Sequence, residues 1–290
     1  MKYAYFTGCV AKGTCPELHA STVELAKVLG IELWEMTDAT CCGAGVIRDE
    51  NPELQIALNA RTFAMAEAAE MDIVNICSTC QQNLGQDNRA MREDPALLER
   101  TNDILSQNGL HYSGKTQVKN LLWVLVGDYG LDRLAQKVVR PLTGLRVASY
   151  YGCQLLRPVE DTGYDDPDNP TSFDNLVRAL GGTPVDYAGK TRCCGFHILT
   201  VNEDTSTKMA VKRLEEAEEA EADIMVTPCP LCHTSLDAYQ PRATKLQGSN
   251  VRMPVLHLSQ LVGLACGIDV GDLKLNQLMV SPQSALSGVL

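Results

Sequence analysis

Short apolar runs and longer amphipathic segments alternate along most of the chain. Runs rich in aromatic and β-branched residues lie at 2–9 (KYAYFTGC) and 146–153 (RVASYYGC), and each has the pattern of a strand. A helical pattern follows each run, at 17–29 and at 171–180, and ends at a glycine. Because strands that alternate with helices form parallel sheets covered by helices, the pattern predicts an α/β fold.

Each half of the chain continues in the same order. Short runs at 31–36 and 183–188 predict a second strand, and runs at 72–77 and 223–229 predict a third. A long amphipathic helix is predicted between the second and third strands. Its apolar face is expected to consist of Leu54, Leu58, Met65 and Ala68 in the first half, and of Met209, Leu214, Ala217 and Ala220 in the second.

The cysteines repeat with the same order as the elements. They follow the patterns C-x31-CC-x34-C-x2-C and C-x39-CC-x34-C-x2-C, which share the spacer of 34 residues. An internal duplication explains this repetition. We therefore expect two pseudo-symmetric domains, 1–143 and 144–290, each with a small, mostly parallel sheet flanked by helices.

Composition narrows the classes of function. The net charge of −11 over 290 residues argues against nucleic acid as a partner, because phosphate binding needs a basic surface. The start of the chain lacks the apolar core of a signal peptide, and no apolar run is long enough to span a bilayer, so we expect a cytoplasmic protein. In a reducing compartment, twelve cysteines indicate metal or redox chemistry rather than disulfides.

Every cysteine motif follows a predicted strand. Ligands of open parallel sheets bind in the crevice beyond the carboxyl ends of the strands. We therefore expect the five cysteines of each half to converge at one crevice. The chemistry of that site depends on which metal accepts five thiolates.

Zinc and thioredoxin-like chemistry each leave part of the motif unexplained. Tetrahedral zinc takes four ligands and would leave one thiolate over in each half. Thioredoxin-like exchange needs one CxxC and gives the adjacent cysteines no role. Iron–sulfur clusters suit the number of thiolates better, because several irons share them. The adjacent pair favours a cluster larger or more open than a simple cube, and Gly43 and Gly195 permit a crowded backbone beside it.

The two cysteine patterns resemble the duplicated CCG domain in the B-type subunit of heterodisulfide reductase, over nearly the whole chain. Stretches such as GCVAKGTCPELHAST and CSTCQ are closer to the bacterial, sulfur-oxidation type. The resemblance implies two non-cubane [4Fe-4S] clusters, with each CC pair near a shared iron. The implied ligands are Cys9, Cys41, Cys42, Cys77 and Cys80 for one cluster, and Cys153, Cys193, Cys194, Cys229 and Cys232 for the other.

The resemblance also implies an activity and partners. In the family, a disulfide or a pair of thiols lies between the two clusters, and electrons pass through a separate ferredoxin-like subunit. The chain has no C-x2-C-x2-C-x3-C-P run, so we expect it to act only in a complex, with a ferredoxin-like subunit of the C type and a flavin subunit of the A type. The sulfur substrate that the resemblance implies is a heterodisulfide or sulfur on a lipoate-bearing carrier protein.

Several residues outside the cysteine patterns are candidates for the same site. His197 and His233 follow motifs of the second half and are candidate proton donors, or hydrogen-bond partners that tune a cluster. Lys12 and Arg157 follow the first cysteine of each half and are candidates for binding an anionic substrate. The two remaining cysteines, Cys15 and Cys266, are expected to fill space in the core.

Two hypotheses about function follow. The first is a catalytic subunit that performs two-electron thiol–disulfide chemistry on a sulfur carrier. The alternative is an electron-transfer and anchoring subunit, as in succinate dehydrogenase-type or lactate-utilisation assemblies.

Overall fold

Two parallel four-stranded sheets form the framework of the protein. The computed structural model describes residues 1–162 and 164–290. The first sheet has the order β2-β1-β3-β4 and the second has the order β6-β5-β7-β8, so the two are topologically identical. The strands are β1 Lys2–Phe6, β2 Glu32–Glu35, β3 Ile73–Asn75, β4 Val118–Asn120, β5 Arg146–Ser149, β6 Thr183–Pro184, β7 Ile224–Thr227 and β8 Val255–His257. The predicted fold class is confirmed.

Helices cover both sheets and connect their strands. The helices of the first half are α1 Cys9–Gly13, α2 Pro16–Leu29, α3 Val46–Glu50, α4 Pro52–Ala68, α5 Ser78–Glu93, α6 Pro95–Ser106, α7 Leu121–Trp123 and α8 Leu131–Ala135. Those of the second half are α9 Val159–Thr162, α10 Ser172–Ala179, α11 Glu203–Glu219, α12 Pro230–His233, α13 Gln240–Gln247 and α14 Leu258–Ala265. Two π-helical segments, Val124–Gly130 and Thr234–Ala238, extend α7 and α12, and 3-10 turns lie at Phe196–Ile198 and Leu275–Gln277. No helix among these described residues has the length and apolar character needed to cross a bilayer.

The long helix after each CC pair begins with the same kind of cap. The Asn51 side chain accepts a hydrogen bond from the Leu54 amide at 3.0 Å, and the Asn202 side chain accepts one from the Thr205 amide at 2.9 Å. Asparagine is among the best N-cap residues because its side-chain oxygen satisfies an amide that has no partner inside the helix. The two caps place α4 and α11 at matching positions behind their cysteine pairs.

The predicted apolar face of α4 is wrong. Leu54 is 46% exposed, and Ala68 is also exposed. The helix instead buries Gln55, Asn59 and Phe63, which lie at 3%, 1% and 0% exposure. The polar side chains turn inward because they have buried hydrogen-bond partners, so the hydrophobic pattern alone gave the wrong rotation of the helix.

The two halves share their apolar cores. One core includes Tyr5 and Leu25 together with Val226 and Leu258, and the other also draws on both halves. Helix α2 packs on α14, where the buried hydroxyls of Ser21 and Ser259 lie 2.7 Å apart. The halves therefore pack as one body, and the boundary between 143 and 144 stays a prediction.

The segment after each third strand adds a fourth strand that the sequence pattern did not predict. Strand β4 pairs with β3, and β8 pairs with β7, each over three residues. The residues beyond α14 fold back on the body, with the side chains of Leu273 and Leu286 fully buried. These additions complete the sheets on the side opposite to β2 and β6.

Candidate metal centres

In each half, the first cysteine and the CxxC motif lie just beyond the carboxyl ends of the two central strands. Strand β1 leads into Cys9 at the start of α1, and β5 leads toward Cys153. Strands β3 and β7 are followed by Cys77 and Cys229, each in extended conformation as the N-cap residue of α5 or α12. The expected convergence beyond the strand ends therefore has a direct basis in the topology.

The cysteines of the first half lie together. The Sγ atoms of Cys9 and Cys41 are 3.6 Å apart, and those of Cys42 and Cys80 are 3.5 Å apart. The Cys77 thiol is hydrogen-bonded to Cys80. All five are free cysteines, and these separations far exceed the disulfide bond length of about 2.05 Å. The five thiols form one site of closely spaced sulfur atoms.

The cysteines of the second half repeat this arrangement. The Cys153 thiol pairs with Cys193, and the Cys232 thiol contacts both Cys194 and Cys229. Each of these pairs is the counterpart of a pair in the first half. The duplication therefore extends from the spacing of the motifs to the contacts between individual sulfur atoms.

The two sites adjoin one another. The Sγ atoms of Cys77 and Cys229, the first cysteines of the two CxxC motifs, are 3.9 Å apart. Both residues are almost fully buried, at 5% and 1% exposure. The spacing of the repeat says nothing about how the halves face each other, so this contact is a finding of the structure alone.

Each site has a solvent side and an inner side. Cys9 is exposed, and Cys41, Cys153 and Cys193 are partly exposed. The other motif cysteines are buried, and they are Cys42, Cys77, Cys80, Cys194, Cys229 and Cys232. The inner sides meet at the contact between Cys77 and Cys229, whereas the outer sides are accessible to another molecule.

Hydrogen bonds between thiols favour one thiolate in each set. Bonds from Cys42 and Cys9 lower the pKa of Cys41 to about 2, and bonds from Cys153 and Cys194 lower the pKa of Cys193 to about 2. The hydrogen bond to Cys41, followed by burial, raises the pKa of Cys9. Crowded thiols thus share protons, and a cation that binds thiolates would relieve the crowding.

Glycine provides room beside each site. Gly8 and Gly152 precede the first cysteine of each half and have φ of +73° and +71°. A Cβ atom added at Gly8 would lie 3.3 Å from Cys80 Sγ, and one added at Gly152 would lie 3.3 Å from Cys232 Sγ. Positive φ is tolerated by glycine because it has no Cβ atom. The two glycines keep the backbone close to the sulfur atoms in the same way.

A different element holds the CC loop in each half. In the first half, Asn59 of α4 donates a hydrogen bond to the Cys42 carbonyl at 3.0 Å. In the second half, the Ser235 hydroxyl donates to the Cys194 carbonyl at 2.9 Å. The equivalent carbonyl therefore accepts a hydrogen bond in both halves, but from side chains at unrelated positions. A comparison of the two halves by sequence does not reveal this.

A hydrogen-bond chain crosses between the halves beside the sites. The Thr79 hydroxyl, inside the first CxxC motif, donates to Gln154 Oε1. His197 Nε2 lies 3.1 Å from the same oxygen, and the His197 side chain is exposed. Thr79 and Gln154 were missed in the sequence, although each adjoins a motif cysteine. This hydrogen-bond chain links the first turn of α5, at the first site, to the segment that follows Cys153 at the second.

The remaining predicted residues lie in different surroundings. His233 is 2% exposed, and burial lowers its pKa to about 3. Lys12 forms an ion pair with Glu35 at 2.9 Å, and Arg157 forms one with Asp168 at 2.8 Å. Their predicted roles in proton donation and anion binding stay predictions. Cys266 is buried, as expected of a residue that fills space.

The donor set fits iron–sulfur ligation. Each half gathers five thiols whose nearest polar partners are mainly one another, and cysteine thiolates are the usual ligands of iron–sulfur clusters. A tetrahedral zinc ion would use only four of them. Fold and site together define the chain as a duplicated cysteine-rich α/β protein with two sets of five thiols, each suited to binding metal.

Comparison with known proteins identifies the family. The cysteine-rich CCG domain matches residues 3–85 and 147–237, and the chain belongs to the family of duplicated CCG-domain proteins that includes the B-type subunit of heterodisulfide reductase. The predicted family is confirmed, and it supports iron–sulfur clusters as the cofactors.

Curated relatives are subunits of larger complexes. The 8-methylmenaquinol:fumarate reductase membrane anchor subunit of Wolinella succinogenes is 41% identical over 95% of both chains. The B-type subunit of the ferredoxin:CoB-CoM heterodisulfide reductase of Methanosarcina mazei is 31% identical, over 95% of this chain and 93% of the relative. A protein of Archaeoglobus profundus, described as similar to the same heterodisulfide reductase subunit, is 32% identical, over 93% of this chain and 92% of the relative.

The fold also occurs in a solved structure. The crystal structure of a hypothetical protein from Helicobacter pylori superposes with a TM-score of 0.79 at 15% sequence identity. The match covers 97% of this chain and 52% of that chain, so the present protein spans about half of its length. This likeness supports the fold alone.

Proposed function

We propose that the chain is the redox-active iron–sulfur subunit of an oxidoreductase complex and holds two non-cubane [4Fe-4S] clusters, one on each set of five cysteines. The observation that carries this proposal is the 3.9 Å contact between the sulfurs of Cys77 and Cys229, which brings the two sets together. When bound, each cluster supplies a one-electron redox centre. Two adjoining one-electron centres match a two-electron reaction.

The proposed reaction is the reversible cleavage of a disulfide on a sulfur carrier. The disulfide gains two electrons and two protons as its S–S bond breaks, and two thiols result. The names of the heterodisulfide reductase relatives support this reaction, and the exposed or partly exposed outer cysteines leave a path for a carrier, such as a heterodisulfide or lipoate-bound sulfur. The complex would operate in the cytoplasm.

Residues near the sites have proposed roles in handling the substrate. His197 is the better placed proton donor, because it is exposed and is joined to both sites through Gln154. His233 lies buried and is the less accessible candidate. Lys12 and Arg157 are the candidates for pairing with an anionic substrate, which would compete with Glu35 and Asp168 for them.

The proposed partners provide the route for electrons. A ferredoxin-like subunit of the C type and a flavin subunit of the A type would connect the two sites to a soluble donor or acceptor, and a lipoate-bearing protein is a proposed carrier. Exposed apolar side chains follow each CC pair, with Val46 at 77% and Val201 at 85% exposure. Such side chains are suited to contact with another protein of the complex.

A second candidate is favoured by one comparison. The identity of 41% over 95% of both chains is with an anchor subunit of a methylmenaquinol:fumarate reductase, and it exceeds the 31–32% found for the two heterodisulfide reductase relatives described above. In that case the adjoining sites would relay electrons between a dehydrogenase and a quinone, and no bond of a carrier would be broken at them.

A thiol-release assay distinguishes the two candidates. The full chain, loaded with iron and sulfide without oxygen, is mixed with a reduced viologen dye and oxidised lipoamide. The first candidate predicts two thiols released for every two electrons consumed, with loss of this activity in Cys77→Ser and retention in Cys266→Ala. Electron transfer to a quinone analogue without thiol release would reject the first candidate in favour of the relay.

A further inference from the structure

A cluster of metal-ligating side chains lies outside both five-cysteine sets. Cys15, Glu17 and His233 each present one ligand atom, and these atoms lie within 4.8 Å of one another. Cys15 is the N-cap residue of α2 and Glu17 lies in its first turn, whereas His233 ends α12 in the other half of the chain. The cluster is therefore assembled by the packing of the two halves.

All three side chains are removed from solvent. Cys15, Glu17 and His233 are 3%, 8% and 2% exposed. Neither ring nitrogen of His233 makes a hydrogen bond of normal geometry with the described residues. Buried polar atoms without partners are rare in folded proteins, because each loses its hydrogen bonds to water without gaining others. The Val255 backbone lies beside one ring nitrogen. The other nitrogen, beside a thiol and a carboxylate, indicates that a partner belongs there.

Two buried carboxyl groups lie at the cluster without a cationic side chain beside them. The buried Asp237 carboxylate lies near Glu17 and accepts hydrogen bonds from the amides of Met279 and Val280. Within the described part of the chain, neither Glu17 nor Asp237 pairs with a lysine or an arginine. Burial of two carboxylates without a counter-charge is costly, and a bound cation would offset that cost.

We propose that Cys15, Glu17 and His233 bind one zinc ion that joins the two halves of the protein, separately from the iron–sulfur sites. Thiolate, imidazole and carboxylate are the three usual protein ligands of zinc, at about 2.0–2.3 Å. The Thr234 hydroxyl lies 3.3 Å from Cys15 Sγ and donates its hydrogen to the Pro230 carbonyl. Its oxygen is therefore suited to accept a hydrogen bond from a water molecule in the fourth position. A ring nitrogen committed to zinc makes His233 a structural ligand, which replaces its predicted role in proton donation.

The zinc site does not depend on the proposed function. Its ligands are not members of either cysteine set, and it would have the same role in a disulfide reductase and in an electron relay. Zinc binding would stabilise the contact of α2 with α12, because the ion binds the folded arrangement and not the unfolded chain.

Zinc X-ray absorption on the full chain tests the proposal. The protein, loaded with iron and sulfide without oxygen, is incubated with Zn²⁺ and passed over a desalting column. We expect about one zinc per chain, with one sulfur neighbour at about 2.3 Å and the others nitrogen or oxygen at about 2.0–2.1 Å. A shell of three or four sulfurs would place the zinc on the motif cysteines and overturn the proposal, as would the absence of retained zinc.

Substitutions provide an independent readout. Cys15→Ala and Glu17→Gln each remove a proposed zinc ligand. Loss of a residue that only hydrogen-bonds to a metal ligand weakens metal binding by about 10–100-fold, and we expect a decrease in zinc affinity at least that large in each variant. The matched control is Cys266→Ala, a buried cysteine outside the cluster, and it should retain zinc. Unchanged zinc in Cys15→Ala would overturn the proposal. If the variants do not fold, the absorption spectrum of the unaltered chain still decides it.

Discussion

Single residues set the shape of each cysteine site, and Gly8 and Gly152 are the plainest examples. Both have positive φ, and a Cβ atom added at either would lie 3.3 Å from a sulfur atom of the CxxC motif. A methyl group there would meet strain in the backbone and crowding against the sulfur. The sequence shows these positions only as a Gly-Cys pair after a strand. The structure shows that each glycine lets the backbone lie close to a sulfur atom.

We expect Gly8→Ala to lower the iron content of the protein by about half, because the backbone at Cys9 must shift away from Cys80. Iron and acid-labile sulfide per chain measure the loss. The matched control is Gly13→Ala. Apart from its chain neighbours and the backbone of its own helix, no atom of the described residues lies within 4 Å of the added Cβ, and φ is not positive. Equal iron in Gly8→Ala and in the unaltered protein would contradict this role.

His257 links the second half to the first through its buried ring. Its Nε2 lies 3.2 Å from the Ile76 carbonyl, and its Nδ1 lies 2.9 Å from Ser259 Oγ. Complete burial lowers the pKa of His257 from 6.5 to about 4. The ring is therefore neutral in the folded protein at pH values at which it is protonated in the unfolded chain.

Acidification should consequently destabilise the protein through His257. Its contribution is complete above pH 6.5 and is lost as the pH falls toward the folded-state pKa of about 4, and the full loss amounts to about 3 kcal/mol. Denaturant unfolding at pH 7.5 and 5.0 measures the change. In His257→Gln the decrease in unfolding free energy should be smaller by about 2 kcal/mol. An identical pH dependence in both proteins would show that His257 does not titrate in this range.

At the scale of elements, helices hold the CC loops by side chains that differ between the halves. Helix α4 uses Asn59, which also donates to the buried Asp87 carboxylate at 2.6 Å, whereas the second half uses Ser235. The order of the first three strands of each half, and of the helices between them, was predicted from the sequence because these elements have recognisable patterns. The inward polar face of α4 was not predicted, because the hydrophobic pattern of a sequence carries no information about buried hydrogen bonds.

We predict that Asn59→Ala destabilises the protein by about 1–3 kcal/mol, because the Cys42 carbonyl loses its side-chain donor and Asp87 loses one of its donors. The same substitution should lower iron at the first site. Ser235→Ala is the counterpart for the second half and should affect the second site instead. The free energy of unfolding and the iron content report the two effects, and a loss confined to the second site in Asn59→Ala would be inconsistent with this assignment.

Strands of three residues lie at the limit of what a sequence pattern indicates. Strands β4 and β8 are that short, and the sequence pattern did not predict them. Their pairing is decided by neighbouring strands of the sheet rather than by their own composition. The same reason explains the short β6, which covers two of the residues expected to be extended at 183–188.

At the scale of the whole molecule, the duplication produces two similar sites, and the packing of the halves brings them into contact. The cysteine spacing predicted which residues gather within each half. It could not predict the contact of Cys77 with Cys229, the shared cores or the cluster of Cys15 and Glu17 with His233. These features depend on how the two copies face each other, and a pattern that repeats within each copy carries no information about that.

The sites should nevertheless load separately, because each set of cysteines comes from its own half. Cys9→Ser is expected to lose roughly half of the iron, and Cys153→Ser is expected to lose the other half. Iron analysis combined with the visible absorption spectrum distinguishes the variants from the unaltered protein. Complete loss of iron in either single variant would show that the two sites form one indivisible centre.

The most direct test of the account is anomalous diffraction at the iron absorption edge from crystals grown without oxygen. We predict two iron centres, one among Cys9, Cys41, Cys42, Cys77 and Cys80 and one among the equivalent cysteines of the second half, adjoining each other near Cys77 and Cys229. A single centre, two centres at opposite ends of the molecule, or a signal at the zinc edge in place of iron at these cysteines would contradict it.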